Sequence, residues 1–207
     1  MYLYALGKGL AGLYFKTLFR FRVEGLENIP AEGGAIICGN HFTLVDPAVV
    51  GVAMPRRVAF MGKQEAFKNP IIGWVLRGLG SFPVKRGTPD RAALKHSLEL
   101  MEKGYCFGIF PEGTRSRTGK LGRPEPGAAY LALKSSVPVI PVGITSRYKL
   151  FGPILVRFGR PIDLEPYRAG KLTGDVLEAA SEVIMAGIGA QLEPPVSVSV
   201  AAGKEQP

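Results

Sequence analysis

The chain has 207 residues, 46% apolar, 9% aromatic and 21% charged, a balance that excludes intrinsic disorder and collagen-like repeats and leaves room for one domain with a sizeable core. Its net charge of +9 and pI near 9.7 call for an anionic partner: nucleic acid, a membrane surface or an anionic substrate. No helix-turn-helix, zinc or RNA-binding signature accompanies the charge, so no nucleic-acid partner is expected.

The opening stretch, "MYLYALGKGLAGLYFKTLFRFRVEG", reads as an amphipathic helix from Tyr2 to Phe19 with Leu3, Leu6, Leu10, Leu13 and Tyr14 near one face. Lys8, Lys16, Arg20 and Arg22 are its only charges up to residue 22, and Tyr2, Tyr4, Tyr14 and Phe15 supply rings that favour a lipid–water boundary. Residues 1–22 are therefore expected to bind a membrane surface. No run of about 18 uncharged apolar residues marks a transmembrane helix, and no small-residue cleavage site marks a signal peptide. The mean hydropathy of +0.14 nonetheless suggests extra exposed apolar surface.

After a Gly/Pro-punctuated loop, "AIICGN" predicts a short buried strand ending in a turn. Asp46-Pro47 opens a helix, with Asp46 as the expected N-cap. Then come the strand "RVAFMG", the helix "NPIIGWVLRGLG" capped by Asn69, and the strand "SFPVKRG" with a basic exit. Trp74 in that helix fits an interface or a core equally well. "PDRAALKHSLELMEKG" is a helix stopped by Gly104, with His96 on its solvated side. "YCFGIF" predicts a buried strand, "GAAYLALKSS" a helix, "VPVIPVGI" and "PILVRFGRPID" two strands, and Thr173 to Leu192 a last helix; residues 194–207 read as a flexible tail. Cys38 and Cys106 sit in apolar strands and read as buried small hydrophobes, without metal-ligand spacing. Alternating strands and helices predict an α/β fold: a single domain with a mostly parallel sheet flanked by helices.

In such sheets ligands collect beyond the carboxyl ends of strands. His41 follows "AIIC", Arg86 follows "SFPV" and Glu112 follows "YCFGIF", so three polar groups leave the same kind of strand end. In "GNHFTLVDP" a carboxylate lies five residues after a histidine. A continuous helix would advance about 500° over that interval and hold the two side chains about 140° apart. They meet only if the backbone turns between them. An aspartate bound to one ring nitrogen fixes the tautomer and leaves the other nitrogen as a base. No Gly-x-Ser-x-Gly elbow and no activated cysteine supplies a nucleophile, so the base would deprotonate the hydroxyl of a bound acceptor.

"FPEGTRSR" places a carboxylate, a glycine and two arginines in a loop directly after a buried strand. Arginine forks suit phosphate oxygens, while Glu112 suits orienting those arginines or accepting a bond from a substrate hydroxyl. Lys85 and Arg86 form a second basic site between glycines.

The ordered set of His-x4-Asp, a glycine-flanked basic strand end, "FPEGTRS" and "VPVIPVGI" resembles the four motifs of the glycerolipid acyltransferases, in particular the 1-acylglycerol-3-phosphate acyltransferases, over about residues 20–165. The resemblance implies an acyltransferase domain over residues 23–193 that moves an acyl group from acyl-CoA or acyl-carrier protein to the sn-2 hydroxyl of lysophosphatidate, forming phosphatidate. It implies His41 as general base, Asp46 as its orienting acid, and Lys85, Arg86, Glu112, Gly113, Thr114 and Arg115 as the acceptor and phosphate site. Gly113 would offer its N–H to the oxyanion. No metal or cofactor is implied, and the place of action would be the cytoplasmic face of the cell membrane. One departure stands out: Glu125 occupies the position where many relatives carry a lysine, so Lys120 or Arg123 would have to replace that cation. Another lysolipid acceptor, a hydrolase, or a non-catalytic basic membrane-binding protein remain alternatives to this reading.

Overall fold

The computed structural model describes residues 2–85, 90–116, 118–146 and 148–192. Its seven strands are β1 (Arg20–Glu24), β2 (Ala35–Gly39), β3 (Val58–Lys63), β4 (Ser81–Val84), β5 (Cys106–Ile109), β6 (Val139–Ser146) and β7 (Pro153–Phe158). They form one sheet in the order β1-β7-β6-β2-β5-β3-β4. Every adjacent pair is parallel except β6 and β7, which run antiparallel. The helices are α1 (Tyr2–Leu18), α2 (Asp46–Ala53), α3 (Pro70–Gly78), α4 (Arg91–Glu102), α5 (Pro126–Lys134) and α6 (Gly174–Gly189).

Alternate strand residues feed two cores, as pleating requires. Ala35 and Ile37 pack with Phe15, Phe19, Val49 and Val50 beneath α1 and α2. Ile36 and Cys38 pack with Met101, Leu131 and Ile184 beneath α4, α5 and α6. The predicted single α/β domain is therefore what forms. Cys38 and Cys106 are both fully buried, one in each core, and burial raises the Cys38 thiol to about 12.

Two sequence expectations change in the N-terminal region. Residues 20–24, given no strand in the sequence reading, form one: β1 pairs with β7 in register from Arg20↔Pro153 to Glu24↔Arg157, so the expected boundary after residue 22 falls inside the sheet. The inward face of α1 also differs from the expectation. Phe15 is buried, the Tyr4 hydroxyl accepts the N–H of Val58, and Lys8 donates to the carbonyl of Met54 at 2.6 Å, so these three serve the fold rather than an interface. Gly7 lets the helix close onto Leu79, where a Cβ would lie 2.5 Å from Cδ2. This small-residue contact leaves Tyr2, Leu6, Leu10, Leu13 and Tyr14 pointing away from the domain. On α3, capped by Asn69 as expected, Ile71, Ile72 and Trp74 are likewise exposed. No helix of the described residues is long and apolar enough to cross a membrane.

Candidate active site

The site begins where β2 ends. Asn40, next to β2, is buried and clasps β6 twice: its amide donates to the Ile144 carbonyl at 3.0 Å and its oxygen accepts the Ile144 N–H at 2.7 Å. That clasp fixes the direction in which the chain leaves the sheet. The next residue, His41, is 7% exposed.

The backbone then turns, and Asp46 comes back to the imidazole. His41 Nδ1 lies 3.0 Å from Asp46 Oδ2, which also accepts the N–H groups of Phe42 at 2.7 Å and Thr43 at 2.6 Å. Asp46 Oδ1 accepts the hydroxyls of Thr43 and Tyr148, each at 2.7 Å. Asp46 is thus not the N-cap of α2, as expected from Asp-Pro, but its first residue, and its carboxylate closes the preceding loop instead. The physical reason is competition: four donors upstream and Tyr148 offer more than one orphan helix N–H would. Burial alone would raise the Asp46 pKa, but the bonds from His41, Thr43 and Tyr148 outweigh it and hold the carboxyl below its ordinary value. The aspartate stays ionised, Nδ1 serves as the donor, and Nε2, with no partner among the described residues, is left with its lone pair.

Phe110 fixes the plane of the ring, stacking on His41 with centroids 4.2 Å apart and 18° between planes. Phe60 stacks on Phe110 in turn at 5.8 Å. The three rings stand over β2, β5 and β3, neighbours in the sheet. Gly108 makes this possible, since a Cβ there would lie 2.2 Å from the Phe60 ring.

Glu112 is buried beneath this loop, and both its oxygens are taken by main chain: Oε1 accepts the His41 N–H at 3.0 Å and Oε2 the Gly122 N–H at 2.9 Å. The expectation that it orients arginines or meets a substrate hydroxyl is corrected by that geometry, because it is a clasp between the histidine loop and the 110–122 loop. Burial raises its pKa, and the two N–H donors oppose the shift. Gly113 adopts φ +64°, and a Cβ there would meet Glu125 Cγ at 2.8 Å. Its N–H donates to the Phe110 carbonyl at 3.0 Å, so it closes a turn and is not free for an oxyanion.

Thr114 and Arg115 follow, exposed, beside the histidine loop: the Ser116 N–H donates to the His41 carbonyl at 2.8 Å. A cavity of about 410 Å³ is lined by Glu112, Thr114, Ser116, Lys120 and Arg123 among others. Lys85 lies at the end of β4, on the same sheet end but three strands from β2, about 14 Å at ordinary strand spacing. Arg86 lies outside the described residues. His41, Asp46, Glu112, Gly113, Thr114 and Arg115 are thus brought together, while Lys85 stands apart.

Against known proteins, the family model Acyltransferase matches residues 20–145. The chain belongs to the Acyltransferase family. Within that family it is similar to the 1-acyl-sn-glycerol-3-phosphate acyltransferase of Bacillus subtilis, with 34% identity over 68% of this chain and 73% of that protein. It is equally 34% identical, over 68% of its length, to a chloroplastic 1-acyl-sn-glycerol-3-phosphate acyltransferase of Arabidopsis thaliana. The chain spans about two fifths of that protein and of its Brassica napus counterpart, 40% and 41%. The crystal structure of the 1-acyl-sn-glycerophosphate acyltransferase PlsC from Thermotoga maritima superposes with a TM-score of 0.71 at 27% identity, covering 94% of this chain and 81% of that one.

Sequence reasoning missed three members of the site. Asn40 carried only a Gly-Asn turn signal, Phe110 read as the end of a strand, and Tyr148 lies 102 residues beyond Asp46 in a loop without a pattern.

Proposed function

We propose that the chain transfers an acyl group from an acyl thioester, acyl-CoA or acyl-carrier protein, to the sn-2 hydroxyl of 1-acylglycerol 3-phosphate, forming phosphatidate at the cytoplasmic face of the cell membrane. The observation that carries the reading is the His41–Asp46 contact of 3.0 Å, with Nε2 open at a strand end where a ligand can gather. The activities for which the relatives are named point the same way.

His41 Nε2 takes the proton of the acceptor hydroxyl as its oxygen attacks the thioester carbonyl. The new C–O bond forms, the C–S bond breaks through a tetrahedral oxyanion, and the imidazolium returns its proton to the departing thiolate. Asp46 holds the tautomer and balances the transient imidazolium charge. Arg115 stands beside the histidine loop, with Lys120 and Arg123 lining the adjoining cavity, so the three serve as cations for the acceptor's phosphate in place of the lysine replaced by Glu125. Arg86 keeps its proposed role on the acceptor's phosphate, with Lys85 beside it in the sequence. The reaction as written uses no metal or cofactor.

Both acceptor and product are amphiphiles, so the site has to face lipid. The outward Leu6, Leu10 and Leu13 of α1, each about three-fifths exposed (60%, 61% and 63%), together with Trp74 of α3, support docking on a membrane surface.

The deciding experiment is donor-dependent conversion of lysophosphatidate to phosphatidate, wild type against His41→Ala, with other lysolipids and a no-acceptor control alongside. Conversion lost in His41→Ala supports the reading. Equal conversion by both proteins, or fatty-acid release without acceptor, overturns it.

A further inference from the structure

The loop between β6 and β7 combines two features that the proposed chemistry does not call on. Tyr148 and Phe151, with φ of 46° and 59°, are the non-glycine residues in the left-handed region among the described residues, and both lie in this loop. L-residues with large side chains avoid that region, so the surroundings must impose it. At the inner end, the Tyr148 hydroxyl donates to Asp46 Oδ1 at 2.7 Å, its N–H donates to Ser146 Oγ at 2.9 Å, and its ring meets Phe19 edge-on at 6.5 Å. Burial, and then the Asp46 charge, raise the Tyr148 pKa, so the phenol remains a donor.

At the outer end, Leu150 is 61% and Phe151 63% exposed. Their backbone is nonetheless fastened. The Phe151 N–H donates to the Leu18 carbonyl at 2.8 Å, Arg20 Nε to the Phe151 carbonyl at 3.1 Å, and the Arg20 N–H to the Gly152 carbonyl at 2.9 Å. Two large apolar side chains are thus held outward on a rigid tip at the end of α1. That tip is tied to the last residue of α1, a helix whose outer face is apolar, and no aspartate or glutamate occurs from residue 126 to 162, whereas Lys149 adjoins the tip. Leu44, in the catalytic loop at the same end of the sheet, is 77% exposed.

Resting on the acyl-transfer reading, we propose that residues 148–151 gauge the depth of the site: Leu150 and Phe151 enter an anionic lipid surface while Tyr148 positions Asp46, so that seating the tip sets the His41–Asp46 pair at a fixed height above the acyl chains. The tie to α1 and the lack of acid favour lipid as the occupant over a protein partner. Tyr148 acts through Asp46 and is a positioning residue.

Two measurements on the full chain test the two ends. In a Trp74→Phe, Leu150→Trp protein, phosphatidylglycerol vesicles should shift the introduced indole's emission to the blue, and brominated acyl chains should quench it. Unchanged emission overturns the tip contact, whether the protein sediments with the vesicles or stays free. In Tyr148→Phe, kcat should fall at least ~10-fold with KM for lysophosphatidate held. The ¹⁵N shifts of His41, separable because the chain has two histidines, should show a changed ratio of Nδ1–H to Nε2–H tautomer in the neutral ring, since Asp46 Oδ1 has lost one of its two donors. A purely structural role would leave the tautomer ratio alone, and wild-type values of both quantities overturn the positioning role. Should wild type show no acyl transfer, the functional reading fails, while the emission and the tautomer ratio still decide this one.

Discussion

The end of β2 and the outer face of α1 invert the ordinary distribution of polarity in opposite senses. At the strand end, Asn40, His41, Asp46 and Glu112 are polar and buried, and each is hydrogen-bonded within the protein. On α1, Leu6, Leu10 and Leu13 are apolar and about three-fifths exposed (60%, 61% and 63%). Buried polar groups cost stability unless every bond is made, and exposed leucines leave a stabilising contribution unused. The proposed acyl transfer would account for both departures, since it asks for proton transfer in a preorganised, poorly hydrated site that opens beside lipid.

The comparison can be broken most forcefully at its polar end. Asp46→Asn should lower kcat/KM about 10²- to 10⁴-fold, because the amide no longer enforces the Nδ1–H tautomer. Steady-state kinetics with a circular-dichroism melt check this, and near-normal turnover in a folded variant would remove Asp46 from the mechanism. At the apolar end, Leu6→Ser, Leu10→Ser and Leu13→Ser together should weaken binding to anionic vesicles by about 10²-fold, on the order of 3 kcal/mol for three partly buried leucines. This triple variant is preferred to deleting residues 1–20, since Phe15 and Phe19 belong to the core. Sedimentation equal to wild type would leave the exposed face unexplained.

Glu112→Gln sharpens the contrast from inside. Its amide would turn N–H toward an N–H of His41 or Gly122, costing about 1–3 kcal/mol. Denaturant unfolding measures the loss, and an unchanged midpoint would deny the clasp. At the rim, Arg115→Ala should raise KM for lysophosphatidate about 10-fold with kcat nearly held, a modest effect because the group is exposed and screened. The smallest effect concerns pH. The Asp46 pKa is lower folded than unfolded, so its ionised form contributes stability above the unfolded value of about 4, and that contribution is lost as pH falls through the folded value. The stability difference between wild type and Asp46→Asn should therefore shrink below about pH 4, and a difference that stays flat would contradict the depressed value.

Local chemistry made much of this molecule legible in advance. Asn69 caps α3 where the sequence indicated, Gly104 ends its helix with φ +83°, and the apolar runs became strands. The strand β1 escaped notice because "FRFRV" continues a helical apolar pattern and gains its extended form only from pairing with β7. The roles of Glu112 and Gly113 were misjudged for a related reason: a charged loop looks available until its partners are known, and here those partners are the main-chain groups of His41, Gly122 and Phe110.

What the amino-acid order determined alone is the list of elements apart from β1, the five-residue spacing of a histidine and an aspartate around a turn signal, and an N-terminus rich in rings and positive charge, since capping, periodicity and spacing act over a few residues. Only the tertiary structure decided which face of α1 looks outward, that Asn40 locks β2 to β6, and that Tyr148 reaches back 102 residues to Asp46. Those contacts join segments remote in the chain, and their energies exist only once the sheet has brought the strand ends together.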